Sequence, residues 1–410
     1  MKTATHHLGR RAILGAGLAM PALLAGTRAG AQAQPLKIGV LCDMSGIYAD
    51  NTGPGLVAGT NLGVKEYGGS VGGRPVQVVF ADDQNKPDVG SAIAGKWMDS
   101  EGVSAIVCAS ASSITLAVSD MAHAKNKVLL VTGSLSADLT GSRCHPTTFQ
   151  FGLDTYAGPK SVIGPSIAKG LDSWFIINVD YAFGLSLRDE GRRMIEAAGG
   201  KVLGTTGFPL GNSEFASQIL QAKASGAKAI AVACGGSDWS NLVKQCHEFG
   251  VAQGGQSLVT LTGGINEIMS VGPSLAAGMV ASMPWYWDLN DGSRAFNTQY
   301  RAAMNNRFPN WQQANGYSAA IHYLKAVAAA GSDDGAKVAA AMRAIKVQDK
   351  LIDGATIRED GQVMRPTYLM EVKPETKPGL ADCFKLVSTL SAEQSWRPAY
   401  ESACPALRKA

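Results

Sequence analysis

Residues 105–120 read AIVCASASSITLAVSD. The run 105–108 is apolar and short. Ser110, Ser112 and Ser113 then interrupt it, and Ile114, Leu116, Ala117, Val118 and Met121 follow at helical spacing. A buried strand, a tight turn and an amphipathic helix in that order make the start of a βα unit. A serine on such a turn is either a nucleophile or one wall of a cradle for an anion, and the rest of the chain has to decide between them.

The same alternation runs through the first 280 residues. Strands are expected at 36–42, 76–82, 105–108, 128–132 and 148–152, with helical spacing over 54–67, 87–100 and 112–125 and a short turn before the last strand. The series then restarts at 174–180, 202–208, 229–234, 257–261 and 278–283, with helices over 182–198, 213–224, 238–249 and 264–271. Near-continuous apolar strands alternating with helices predict an α/β fold of parallel sheets covered on both faces, and two series predict two doubly wound lobes. Residues 292–346 are mostly helical, and short strand-like pieces flank the turn Glu359-Asp360-Gly361. Because the first lobe has few covering helices, the helical block is expected to cross back onto it.

The N-terminus is set apart from this fold. Lys2, Arg10 and Arg11 precede the uncharged AILGAGLAMPALLAG and small residues around Ala31 and Ala33, the pattern of an export signal cleaved near Ala33. The paired arginines resemble a twin-arginine signal, although Gly9 stands where that motif prefers a hydroxyl residue. Segment 1–33 carries Lys2, Arg10, Arg11 and Arg28 and no acid, so the net charge of +4 falls to zero once it is removed. Neither nucleic acid nor an anionic membrane is an expected partner. Roughly 377 residues remain, beyond the roughly 250–300 that one core serves, which again predicts two domains.

Seven cysteines form no C-x-x-C pair, and four histidines remain after processing, so no metal site or cofactor is expected. Cys42, Cys108 and Cys234 end apolar runs and read as buried. Cys144, Cys383 and Cys404 lie in polar surroundings, where Cys404 could pair with Cys144 or with Cys383. Catalytic templates are missing: there is no G-x-S-x-G, and His247-Glu248 lacks a second histidine. The glycines of GPGLVAG (53–59) imitate a dinucleotide fingerprint, but ten residues separate them from the preceding strand.

Ligands of open parallel sheets bind beyond the carboxyl ends of the strands. In the first lobe those ends carry Tyr48, Ser110 to Ser113, and Ser134 and Ser136; in the second they carry Tyr181, Phe183, Asp238 and Thr262. Helices starting after Ser112 and Ser136 would present free N–H groups to a carboxylate, although a serine there can equally be an ordinary cap. No base stands near these serines, since His123 lies further down the helix and His145 on a remote loop. Trp285, Tyr286 and Trp287 stand where the chain would return between lobes and are candidate cleft aromatics.

In order and spacing, KIGVLCDMSGIYADNTGPGLVAGTNLGVKE, VFADDQNKPD, CASASSITLAVSD, LLVTGSLSADLTG and DYAFGLSLRDEG resemble the extracytoplasmic solute-binding proteins of branched-chain amino-acid ABC importers. The resemblance spans about residues 35–375. It implies a type I periplasmic-binding fold with three crossovers, near 153–156, 283–287 and 360–368. Lobe 1 would comprise 34–154 and 285–364, and lobe 2, with the C-terminal tail, 155–284 and 365–410. It also implies that Ser112, with Ser113 beside it, receives a ligand carboxylate, that Ser136 and Ser134 assist, and that Phe183 forms an aromatic wall. Asn51 or Thr52 would take the lid position, with Tyr48 nearby, and Asp238 would lie in a loop that gives the family another tyrosine. Two departures stand out. Asn85 and Ala111 replace the family's intralobe cysteine pair, and Thr262 replaces the acid that holds an α-ammonium. A buried ammonium needs a carboxylate. Unless Asp238 substitutes, the departure predicts a small organic acid without an α-amino group as readily as an amino acid. The expected role is capture of a small carboxylate-bearing solute by a periplasmic monomer and delivery to the permease of an ABC importer. A sensory receptor of the same fold and an exported enzyme are the alternatives; neighbouring permease or kinase genes separate transport from sensing, and turnover abolished at Ser112 would mark an enzyme.

Overall fold

The computed structural model describes residues 34–408. The export segment, its paired arginines and the cleavage near Ala33 lie outside the described residues.

Strand and helix alternate as the periodicity requires. Among the described residues, β1 (Leu36–Cys42), β2 (Ser70–Val71), β3 (Arg74–Asp82), β4 (Val103–Cys108), β5 (Val128–Val131) and β6 (Thr148–Gln150) form one sheet in the order β2-β3-β1-β4-β5-β6. All its pairings are parallel except that of the two-residue β2. Helices α1 (Gly53–Tyr67), α2 (Pro87–Asp99) and α3 (Ser112–Ala124) connect these strands. Every residue of β4 is buried, as for a strand covered on both faces. On β3, nearer the sheet edge, side chains are half-buried or exposed, Phe80 among the exposed.

The chain then passes through α4 (Ala157–Ala168) into a second parallel sheet, β10-β9-β7-β8, built from β7 (Ser173–Val179), β8 (Lys201–Phe208), β9 (Ala229–Ala233) and β10 (Ser257–Thr260). Its helices are α5 (Ala182–Ala197), α6 (Ala216–Ala224), α7 (Gly236–Glu248) and α8 (Ile265–Val271). Helix α4 escapes the sequence reading because Pro159 and Pro165 interrupt its pattern. Pro159 sits in the first turn, where no intrahelical donor is required, whereas Pro165 lies inside the helix.

One expected strand belongs elsewhere. Residues 278–283 read as the fifth parallel strand of the second series, but β11 (Val280–Met283) joins an antiparallel sheet. The chain leaves the second lobe after β11, runs through α9 (Asp291–Ala303), α10 (Trp311–Ala330), α11 (Gly335–Ala344) and the hairpin of β12 (Thr356–Ile357) and β13 (Val363–Met364), and re-enters as β14 (Thr367–Val372). Departing and returning strands run in opposite directions, so β11 and β14 pair antiparallel, and β15 (Phe384–Leu390) closes that sheet. The returning crossing lies against the first one: the Gln150 N–H donates to the Gly361 carbonyl at 2.9 Å.

The helical block does cross back. Helix α10 lies along α1, and Gly55, Gly59 and Gly63, spaced by four residues, face it. A Cβ at Gly59 would overlap the Gln313 carbonyl oxygen, and one at Gly63 the Tyr317 carbonyl oxygen. The glycines that imitate a nucleotide fingerprint therefore permit close helix packing. Asn310 and Gln313 form a reciprocal capping box that fixes where α10 begins.

Cys404 pairs with Cys144, with 5.7 Å between their Cα atoms, while Cys42, Cys108, Cys234, Cys246 and Cys383 are free and buried. The bridge spans 260 residues of sequence and ties the C-terminal segment to the loop before β6. Closing so long a loop restricts the unfolded chain strongly, so the double substitution Cys144→Ser/Cys404→Ser is expected to destabilise the protein by about 2–4 kcal/mol. Calorimetry under non-reducing conditions checks this, and an unchanged melting temperature would remove the bridge from the stability account.

Candidate functional site

Because β1, β4 and β5 are neighbours and parallel, the turns that follow them converge at one edge of the first sheet. Helix α3 starts at Ser112 with no side-chain cap, and its first internal bonds run from Ile114 and Thr115 to the Ala111 carbonyl. The Ser112 and Ser113 N–H groups precede those bonds and carry the positive end of the helix. The Ser112 hydroxyl oxygen accepts the Ser136 N–H at 3.2 Å, so its own proton is available to an acceptor. Ser134 differs in this respect. Its hydroxyl donates to the Ser110 carbonyl at 2.6 Å and also meets the Thr115 hydroxyl.

The loop after β1 is pinned by Asp43. One carboxylate oxygen accepts the Ser45 and Gly46 N–H groups at 3.1 and 2.5 Å. The other accepts the Tyr48 N–H at 2.8 Å and the Asn85 amide at 2.5 Å. Asn85 thus supports the loop that carries Tyr48 and Asn51. Four hydrogen bonds join this loop to the second lobe, one of them from the Asn266 amide to the Asp50 carbonyl. Tyr48 and Tyr181 join their hydroxyls at 2.7 Å, the Asn51 amide donates to Glu267 Oε1 at 2.6 Å, and the Ser237 N–H donates to the Ile47 carbonyl at 3.2 Å. Burial pushes both phenols of the tyrosine pair well above the usual range.

These walls line a small cavity that is partly open to solvent. Of the residues singled out in the sequence, Tyr48, Asn51, Thr52, Ser110, Ser112, Ser134, Tyr181, Phe183 and Thr262 line it. Phe183 is buried in the first turn of α5, its ring centroid 5.9 Å from that of Tyr181. Thr262 turns its hydroxyl away, donating to the Cys234 carbonyl at 3.3 Å.

Three others lie off the wall. Ser113 is half-buried on α3. Ser136 caps the 3-10 turn Ala137–Thr140, accepting the Asp138 N–H at 3.3 Å. Asp238 is buried on α7 and accepts the Gly211 N–H at 3.0 Å; burial pushes its carboxyl up to about 6. The 285–287 aromatics anchor the second crossing instead: Tyr286 and Trp287 both donate to the Ala381 carbonyl, and Trp285 donates to Ser293.

Sequence reasoning missed Glu267, Trp311 and Gln312, which also line the cavity. Glu267 is only 5% exposed and stands in the first turn of α8. Its Oε1 accepts the Asn51 amide and, at 3.1 Å, the Gly236 N–H, while Oε2 has no hydrogen-bond partner among the described residues. A buried carboxylate thus exists on the second lobe, five residues beyond Thr262. The signal was a helix expected to open directly after a strand end, whose first turn faces the same edge as that end. For Trp311 and Gln312 the signal was the N-x-x-Q box at 310–313, which places both in the first turn of α10.

The architecture has counterparts among known proteins. The family model described as periplasmic binding protein matches residues 35–378. A periplasmic binding protein from Burkholderia mallei superposes with a TM-score of 0.88 at 36% identity, covering 91% of this chain and 99% of its own. A branched chain amino acid ABC transporter periplasmic ligand-binding protein from Burkholderia xenovorans LB400 gives 0.80, also at 36% identity, covering 91% of this chain and all of its own. Among curated relatives, the leucine-, isoleucine-, valine-, threonine-, and alanine-binding protein of Pseudomonas aeruginosa is 27% identical over 283 residues, 67% of this chain and 73% of that protein. Among the described residues no helix is long and apolar enough to cross a membrane. The chain belongs to the periplasmic binding protein family, with the type I fold of the solute-binding components of branched-chain amino-acid ABC importers, proteins that bind substrates rather than transform them.

Proposed function

We propose that the protein captures a small amino acid between lobe 1, residues 34–154 with 285–364, and lobe 2, residues 155–284 with 365–410, and delivers it to a membrane permease. One observation carries the reading: the N-terminus of α3 with the Ser112 hydroxyl and the unpartnered Oε2 of Glu267 belong to one cavity. The first favours an anion. The second favours a positively charged or hydrogen-bond-donating group. An α-amino acid supplies both, and the rings of Tyr48, Tyr181, Phe183 and Trp311 cover an apolar side chain. A plain organic acid would set its carboxylate in the same cavity as that of Glu267 without a charge between them.

The same four rings favour a second reading, a hydroxylated aromatic acid whose hydroxyl donates to Glu267. A thermal-shift series of leucine, phenylalanine, benzoate, 4-hydroxybenzoate and 2-keto acids separates the two, because binding to the folded state raises the melting temperature. Amino acids are expected to stabilise the protein most. Stabilisation by benzoate or keto acids alone would overturn the assignment.

For the solute found, Ser112→Ala is expected to weaken binding roughly 10- to 150-fold, the loss of one hydrogen bond to a charged group. Titration calorimetry checks this, and undiminished affinity would move the carboxylate away from α3.

A further inference from the structure

The second crossing, the third crossing, α10 and the cavity wall meet at one side chain outside the cavity. Arg365 lies between β13 and β14 and is 4% exposed. The Asp349 carboxylate acts on it through space, but no carboxylate among the described residues lies within ion-pair distance. Its guanidinium instead donates from Nη1 to Asn315 Oδ1 at 3.1 Å and from Nη2 to the Pro284 carbonyl at 2.8 Å. Asn315 belongs to α10, one turn beyond Trp311 and Gln312, and Pro284 follows β11 in the second crossing. The chain of bonds goes further. The Asn315 amide donates to the Thr132 carbonyl at 3.3 Å, next to Gly133 and Ser134 of the cavity wall. The Trp396 indole N–H donates to the Arg365 carbonyl at 2.7 Å, adding the C-terminal segment.

A buried cation with no carboxylate in direct contact is unfavourable, and packed apolar residues commonly serve stability better. What a guanidinium offers is a rigid planar fork able to hold two separate segments in fixed geometry, which an ammonium cannot reproduce. Here the two segments are a hinge crossing and the helix that carries Trp311 and Gln312.

We infer that Arg365 is the positioning residue of the hinge: it sets the angle at which the two lobes rest and, through Asn315, the placement of α10 in the cavity. Closure of this fold is rotation about its crossings, so a side chain that clamps two of them governs that rotation.

The test uses the full chain with nitroxides on introduced cysteines at the exposed positions Ser100, at the end of α2, and Lys201, at the start of β8. The native free cysteines are buried and do not compete for label. Pulsed dipolar spectroscopy compares the interlobe distance distribution of the parent with those of Arg365→Lys and Arg365→Met, beside their melting curves. Both variants are expected to melt cooperatively and to show a shifted and widened distribution, with lysine failing to restore the parent profile although it keeps the charge. A merely structural arginine would lower the melting temperature and leave the distribution unmoved, and that result overturns the inference. If neither variant folds, Asn315→Ala is read by the same distance, since it cuts the link to α10 and keeps the Pro284 contact. A distribution superimposable on the parent overturns the inference there too.

Discussion

Gly59→Leu is expected to abolish accumulation of folded protein. The position faces the backbone of α10, and the first atom of any side chain would clash with the Gln313 carbonyl oxygen. A backbone atom cannot turn aside as a flexible side chain can, so α10 must retreat along its contact with α1. Ordinary overpacking costs about 1–3 kcal/mol; forcing apart two helices along one face exceeds about 4 kcal/mol, a large part of the stability of a typical protein. Soluble yield and circular dichroism check the expectation. A well-folded leucine variant with parent stability would show that α10 is free to shift. Gly59→Ala tests the same contact more gently. Because α10 carries Trp311 and Gln312 into the cavity, any alanine variant that folds is expected to lose solute affinity as well as stability.

Glu267→Gln carries the largest expected effect on binding, and its sign distinguishes the candidate solutes. Glutamine keeps the shape and retains an oxygen for the Asn51 amide and the Gly236 N–H, but it removes the negative charge. If an ammonium faces Oε2, the substitution leaves a buried cation unpaired at about 3–5 kcal/mol, a loss of roughly 100-fold or more in affinity. If the solute is a plain organic anion, the same change removes a repelling carboxylate and affinity rises. Titration calorimetry with leucine and with its 2-keto analogue reads both directions in one experiment. Tighter leucine binding in the variant would exclude the ammonium assignment.

The βα alternation, the strand positions, the return of the helical block to the first lobe and the serine-bearing turn at 110–113 were legible in sequence because they rest on local periodicity. Apolar residues must repeat at the period of the element that buries them. Leu36–Cys42 could be read to the residue for that reason. Strand β11 could not be assigned to its sheet, since its partner β14 stands more than 80 residues away and runs the other way. Nor could local pattern explain Gly55, Gly59 and Gly63, whose reason is the backbone of another helix.

The site divides along the same line. Sequence by itself determined which residues stand at strand ends, and through them that Ser112 opens a helix at the rim of a parallel sheet without a base to activate it. Tertiary structure alone decided which strand-end residues share a cavity. It turned the Ser134 and Thr262 hydroxyls to backbone carbonyls, set Ser136 to capping a turn and Asp238 to holding Gly211, and brought Glu267 across to Asn51. The physical reason is range. A helix start follows from the few residues around it, whereas a hydrogen bond between residues 51 and 267 exists only after two lobes and three crossings have placed their ends together.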